Sequence, residues 1–455
     1  MPDQTYSAPV AHGRLSARLS LPGSKSLTNR ELVLAALADG AGVLRRPLRA
    51  RDTALMADAL RALGARIDAA AEDWTVTPLR SVVEEAAQRP SRNPRVEEAA
   101  QRPSRNPRVE EAAQRPSRNH TLHVGLAGTV MRFLPPVAAL LDADTTFDGD
   151  EAARRRPMTT MTSALRALGV AVDGDALPFT VHGTGSVRGG ELTIDASASS
   201  QFVSGLLLAA PRFAEGLVLR HAGGRLPSLP HIEMTIACLA ARGVAVTSPD
   251  EGVWIVPPAP IRAREVTIEP DLSNASTFLA AALVAGGSVA IEGWPGATTQ
   301  VGAQLPGLLG RFGGQVRRDA GALVVEGTGA VRSPGELDLS EAGELAPNLV
   351  GLAALADAPT EFTGIGHLRG HETDRLQALA DDLGGLGGRV EVRPDGLLVE
   401  PAPLHGGTWR AYGDHRMATT GALVGLAVPG VEIDDIGTTD KTLPEFVDLW
   451  ERLLR

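Results

Sequence analysis

Lysine occurs at only two positions in this 455-residue chain, Lys25 and Lys441, although lysine and arginine together number 44. Arginine supplies every other cationic side chain of that count, so these two stand out against a strong compositional bias. The chemical difference matters: a guanidinium is a planar fork that keeps its proton, whereas an ammonium is compact and can release one when its surroundings change. Polar groups suited to anionic oxygens surround both. Lys25 lies in LPGSKSLTNR with Ser24, Ser26 and Arg30, and Ser199, Ser200 and Gln201 open SSQFVSGLLLAA. Farther on, GHETDRL carries Glu372 and Arg375, YGDHRMA carries His415 and Arg416, and DKTLPEF carries Lys441. Hydroxyl, amide and guanidinium groups bind phosphates and carboxylates, while Lys, Glu and His can pass protons. The set suits a site that binds two small phosphorylated molecules together.

Six elements must position these groups. In SKSLTNRELVLAALA, LAGTVMRFLPPVAALL, SSQFVSGLLLAA, LSNASTFLAAALVA, LAPNLVGLAALA and DHRMATTGALVGLA, a polar or glycine-containing loop runs into an Ala/Leu/Val stretch of helical length. Helix N-termini expose unpaired N–H groups and a partial positive charge, so several converging on one point form a cradle for anions. The long first interval between them holds VEEAAQRPSRNPR at 83–95, the same residues at 96–108 and a truncated copy at 109–119. With the surplus copies set aside, the helix starts recur about every seventy residues, too long for a solenoid repeat and long enough for a small α/β unit. Runs such as ELTID, GLVLRH, SVAIEG and ALVVEG supply strands between the helices. Six such units, three per domain, are expected. The copies themselves read as a surface excursion, since Pro, Ser and Asn stop each short helix and surface loops absorb insertions at modest entropic cost.

Composition narrows the class. A chain with 43% hydrophobic and 22% charged residues can bury large cores, and with 4% aromatics those cores are aliphatic. The formal charge of -10 argues against a general nucleic-acid binder. No apolar run approaches the roughly 18 to 20 residues needed to span a bilayer, and the N-terminus lacks a charged segment followed by an apolar one. A cytoplasmic enzyme without membrane partners is expected. The single cysteine, Cys238, excludes an internal disulfide and a cysteine-based metal cluster, and its helical context reads as an inert core thiol.

LPGSKSLTNR, AGTVMR, the GD…RRRPM segment, SSQF, GHETDRL, YGDHRMA and DKTLPEF, in that order between residues 21 and 447, resemble the successive signatures of the 3-phosphoshikimate 1-carboxyvinyltransferase (5-enolpyruvylshikimate-3-phosphate synthase) family. The resemblance implies a two-domain α/β enolpyruvyl-transferase fold, each domain three βαβαββ units with helices inside and sheets outside. Crossings near Leu21-Pro22 and Ile268-Glu269 would make residues 22–265 one domain, and 1–21 with 266–455 the other, with the substrates in the cleft. It implies transfer of the enolpyruvyl group of phosphoenolpyruvate to the 5-hydroxyl of 3-phosphoshikimate with release of phosphate, by a monomer using neither metal nor organic cofactor. By the same resemblance Lys25, Ser26, Arg30, Ser199, Ser200, Gln201, Ser228, Glu344 and His371 would hold 3-phosphoshikimate. Lys25, Gly128, Arg156, Gln201, Arg375, Arg416 and Lys441 would hold phosphoenolpyruvate. Lys25, Glu372 and His415 would relay a proton, and Glu344 would take the hydroxyl proton. Arg154 and Arg155, beside Arg156, are expected on the surface.

Several positions depart from the commoner bacterial pattern of that family. Leu126 and His367 stand where many members have Asn, His231 where many have Tyr, His371 where many have Lys, and Glu344 where Asp is usual. A protonated His371 would still donate to the shikimate phosphate, which predicts weaker binding as pH rises through its pKa. Arg225, beside Ser228, is a candidate to compensate for the lost contacts. Gly128 leaves room beside the phosphoenolpyruvate phosphate, so inhibition by glyphosate competitive with phosphoenolpyruvate is expected. The nearest rival, UDP-N-acetylglucosamine 1-carboxyvinyltransferase, shares fold and reaction type but carries a mobile-loop cysteine, and the only cysteine here sits in a helical pattern. A catalytically dead anion-binding scaffold is the alternative of a different class.

Overall fold

A computed structural model describes residues 5–79 and 118–455. Most of the thirteen-residue copies, and the surface excursion expected of them, lie outside the described residues. Arg118 and Asn119, which end the third copy, open the strand Arg118–His123.

Among the described residues the strands form six sheets, four of four strands that share one plan and two of three strands. Arg118–His123 runs parallel to Ala143–Asp148, which pairs antiparallel with Phe179–His182, and that strand with Ala171–Asp173. Glu336–Asp338, Thr360–Thr363, Gly396–Glu400 and Arg389–Arg393 repeat the arrangement. A parallel pair needs a crossover, and a buried helix supplies it. Two sheets take their first strand from far along the chain: Leu15–Leu19 lies parallel to Gly287–Ile291, and Glu265–Thr267 to Gly42–Arg45. The latter strand carries the first sheet two residues past the expected boundary at 265. Near both expected crossings the two chain segments bond to each other, Ser24 N–H donating to Glu269 O at 2.8 Å and Asp271 N–H to Pro22 O at 2.9 Å.

The six buried helices are α1 (Lys25–Ala36), α2 (Gly128–Ala138), α3 (Gln201–Ala209), α4 (Leu272–Ala285), α5 (Ala346–Ala354) and α6 (His415–Gly425). Every residue of α2, α5 and α6 is buried, as expected of helices that are apolar or small-sided all round. Small residues let the helices touch through their backbones. A Cβ on Gly205 of α3 would lie 2.2 Å from the Arg132 carbonyl oxygen of α2, which only glycine allows. The apolar core divides in two, one part drawn from residues 32–261 and the other from residues 8–21 and 272–453. Cys238 belongs to the first, where burial, and then Glu31, push its thiol pKa up. Among the described residues no helix is long and apolar enough to cross a membrane.

Candidate active site

The N-termini of buried helices from both halves open onto one cleft. Ser24 caps α1, its hydroxyl accepting from Leu27 N–H, and Asp271 caps α4, one carboxylate oxygen accepting from Asn274 N–H at 2.9 Å and the other from Lys25 N–H at 3.0 Å. Asp414 caps α6 through Arg416 N–H at 2.9 Å. The starts of α2 and α3 carry no side-chain cap, and there Gly128 and Gln201 line the cleft. The first half also contributes Lys25, Arg132, Arg156, Ser199, Ser200, Ser228 and His231. Glu344, His367, His371, Glu372, Arg375, His415 and Arg416 come from the second half. A smaller cavity shares Lys25, His231, Glu344 and Arg416 and adds Ser26, Asp271 and Ser273.

One wall is built of arginines held by acids. Arg375 is buried and donates through Nε to Asp414 Oδ2 at 2.7 Å, and through Nη2 to Asp414 Oδ1 at 3.1 Å and Glu372 Oε2 at 3.0 Å. The other Glu372 oxygen takes the Lys441 ammonium. Burial alone would raise the Glu372 pKa, but Lys441, Arg375 and Arg156 together hold it well below the usual carboxylate range. Arg156 is buried with Nε unpartnered, and its Nη1 donates to Leu126 O at 3.3 Å. Arg154 and Arg155 instead pair on the surface with Asp148 and Glu151. A Cβ on Gly128 would meet Arg132 Nη1 at 2.9 Å, Gln201 Oε1 at 3.0 Å and Arg156 Nη1 at 3.2 Å, so three polar tips converge on this glycine.

The facing wall is made of hydroxyls and one carboxylate. Ser199 Oγ accepts from Gln201 N–H at 3.3 Å, and Ser228 has the left-handed φ of 54°. Glu344 accepts from Ser273 Oγ at 2.8 Å and Arg416 Nη2 at 3.3 Å on one oxygen, and its other oxygen lies 3.1 Å from His231 Nε2. Burial would raise its pKa, yet His231, Arg416 and Lys25 hold it well below the usual range. Lys25 Nζ is 3.7 Å from the buried Asp52. His415 is buried with neither ring nitrogen hydrogen-bonded, and burial, then Lys441, Arg416 and Lys25, keep it neutral.

Arg30, expected to hold 3-phosphoshikimate, is 1% exposed, and its guanidinium donates to Thr235 Oγ1, Ser26 O and His231 O at 2.8 to 2.9 Å, which also holds helices together. Burial, chiefly, lowers its pKa to about 10. Arg225 reaches across to Ser340 Oγ at 2.5 Å, tying the halves together. His371 is not a cation: burial and Arg375 hold its pKa well below the usual imidazole range, and its Nδ1 lies 3.3 Å from Arg375 Nη1.

Sequence reasoning passed over Arg132, Asp414, Ser273 and Asp52. Arg132 stands one helical turn from Gly128 and therefore on the same face, a spacing that was legible; it donates to Gln201 Oε1 at 3.1 Å. Asp414 was legible as a cap before HRMA. Nothing local marked Ser273 or Asp52, whose partners lie elsewhere in the chain.

The family described as EPSP synthase (3-phosphoshikimate 1-carboxyvinyltransferase) matches residues 10–94 and 95–450. A relative from Kocuria rhizophila named 3-phosphoshikimate 1-carboxyvinyltransferase is 51% identical over 457 residues, covering 99% of this chain and 97% of the relative. This chain belongs to the EPSP synthase family. As a member it transfers the enolpyruvyl group of phosphoenolpyruvate to 3-phosphoshikimate, releasing phosphate, in the shikimate pathway of aromatic amino acid biosynthesis. Solved structures of EPSP synthase from Acinetobacter baumannii (TM-score 0.73, 21% identity) and of the enolpyruvyl transferase NikO from Streptomyces tendae (TM-score 0.72, 20% identity) each align over 99% of this chain and 98% of their own. At those identities the likeness speaks for the fold, and the EPSP synthase fold it supports is the two-domain α/β arrangement described above.

Proposed function

We propose that the arginine wall holds phosphoenolpyruvate and the hydroxyl wall holds 3-phosphoshikimate, with the reacting atoms meeting between Lys25 and Glu344. The observation that carries this is the placement of Lys25, Gln201, Glu344, Arg375 and Arg416 around one cleft lined from both halves. Gly128, Arg156, Arg375, Arg416 and Lys441 surround the phosphate and carboxylate of phosphoenolpyruvate, where bidentate guanidinium groups suit planar and tetrahedral anions. Ser26, Ser199, Ser200 and Ser228 hold 3-phosphoshikimate, Gln201 touches both substrates, and His371 serves as a neutral partner.

In the forward step the 5-hydroxyl oxygen bonds to C2 of phosphoenolpyruvate while its proton passes to Glu344, and C3 gains a proton from Lys25. The adduct then returns a C3 proton to the Lys25 amine as the C2–O bond to phosphate breaks and the departing phosphate takes the proton held by Glu344, leaving the enolpyruvyl ether and inorganic phosphate. His415, neutral, and Glu372, ionised, keep the relay open on the lysine side. Unliganded, Glu344 is a weak base because cations surround it; the bound anions offset those charges and raise its proton affinity. No metal or organic cofactor enters these steps. The domains divide at the paired segments 21–24 and 268–271, with 22–267 in one body, and the enzyme works as a cytoplasmic monomer that uses small molecules only. Phosphate release from phosphoenolpyruvate, followed with either 3-phosphoshikimate or UDP-N-acetylglucosamine as acceptor, tests the reading. Release with the first acceptor alone is expected, and release with the UDP-sugar or with neither refutes it.

A further inference from the structure

His231 and Glu344 come from opposite halves of the molecule and meet in the cleft. His231 stands in the helix Leu229–Ala241, directly behind the left-handed Ser228, and Glu344 precedes α5. Imidazole Nε2 lies 3.1 Å from Glu344 Oε1, with side-chain exposures of 8% and 21%. The backbone of His231 is fixed as firmly, since its carbonyl accepts from Arg30 Nη2 and Thr235 Oγ1, both at 2.9 Å. The remaining carboxylate oxygen is taken by Ser273 and Arg416. Across the cleft the same two segments also meet through Ser228 N–H, which donates to Ser340 O at 3.3 Å. His231 has no place in the residue roles argued above.

We propose that His231 is the positioning residue of the general base, an imidazole that one half of the molecule supplies to orient the Glu344 carboxylate of the other. The inference rests on the reading of Glu344 as the group that takes the hydroxyl proton. A carboxylate offers about four lone-pair sites on two oxygens. With Oε2 held by Ser273 and Arg416 and one side of Oε1 held by His231, the free side of Oε1 is left for the substrate hydroxyl. The base is therefore complete only when the halves are together, which links proton removal to cleft closure. With Nε2–H donating to Oε1, the imidazole fixes the direction in which the free side of that oxygen faces the substrate hydroxyl. The charged and titratable groups around the pair are Lys25 and Arg30 from α1, Arg375 and Arg416 from the second half, and His367 from the turn after Thr360–Thr363. From α3 the Ser204 hydroxyl reaches the His231 carbonyl.

The test compares kcat and KM for wild type, His231→Ala, His231→Gln and Glu344→Gln, with 3-phosphoshikimate binding as the check on folding. Glutamine can donate an N–H to Glu344 as the imidazole does. The alanine variant is expected to lose about tenfold or more in kcat while its KM for phosphoenolpyruvate holds, the size of a misplaced base. The glutamine variant is expected to recover most of that loss, since it restores the N–H donor. In a Glu344→Gln background, His231→Ala should cost nothing further. Wild-type kcat in the alanine variant, or a glutamine variant as slow as the alanine one, overturns the proposal. An inactive Glu344→Gln with normal His231 variants would sink His231 alone, whereas an active Glu344→Gln would sink the base assignment beneath it.

Discussion

The two walls of the cleft bind anions by opposite means. On the arginine side, buried cations are matched by buried carboxylates: Arg375 by Asp414 and Glu372, and Lys441 by Glu372. On the hydroxyl side, Ser199, Ser200 and Ser228 bring neutral donors, and charge gathers only around Glu344. Fixed ion pairs are costly to assemble but hold their geometry in a low dielectric, and breaking one member leaves the other uncompensated. Hydroxyl donors are cheaper to bury and easier to reorient. The walls should therefore respond differently to mutation, the first through turnover and phosphoenolpyruvate affinity, the second through 3-phosphoshikimate affinity.

The largest break should come at the lysines. Lys25→Arg and Lys441→Arg keep the charge, yet each should lower kcat by about a hundredfold or more, because a guanidinium does not release a proton and its wider fork displaces the acid partners. Near-normal rates in both would show that charge alone matters on that wall. A smaller effect should follow from Gly128→Ala, whose methyl would crowd Arg132, Gln201 and Arg156. The displaced groups end flexible side chains, so KM for phosphoenolpyruvate should rise by about tenfold or less, a cost of roughly 1 kcal/mol. Glyphosate should compete with phosphoenolpyruvate in wild type and less well in this variant.

The smallest effect concerns pH. Because the His371 pKa lies below the usual imidazole range, the ring is already neutral at about pH 6.5 and stays so as pH rises; it gains its proton only toward acid. KM for 3-phosphoshikimate in wild type and His371→Gln should therefore run in parallel from about pH 6.5 to 9. A profile that weakens in wild type alone over that window would restore a cationic His371.

Much of this scaffold was legible in the chain, because apolar helices with polar starts carry a local signature. The six segments read as a loop running into a helix do start helices, at Lys25, Gly128, Gln201, Leu272, Ala346 and His415, each within the motif that marked it. The exchange of first strands, 15–19 onto 287–291 and 265–267 onto 42–45, leaves no local trace, and the family resemblance supplied only the two crossings. The same divide runs through the site. Lys25, Arg156, Arg375 and Arg416 could be picked by motif, but Arg30 and Arg225 are held by partners more than a hundred residues away. Arg30 turns inward to Thr235 and His231, and Arg225 outward to Ser340, for reasons no motif displays.

Arg156 offers the most direct test of the division between the walls, since its loss leaves no carboxylate unpaired. In Arg156→Gln, calorimetric titration with 3-phosphoshikimate should give a Kd close to that of wild type, while KM for phosphoenolpyruvate rises about tenfold or more, as expected for one charge-assisted contact. A Kd for 3-phosphoshikimate weakened as much as the KM for phosphoenolpyruvate would contradict the account.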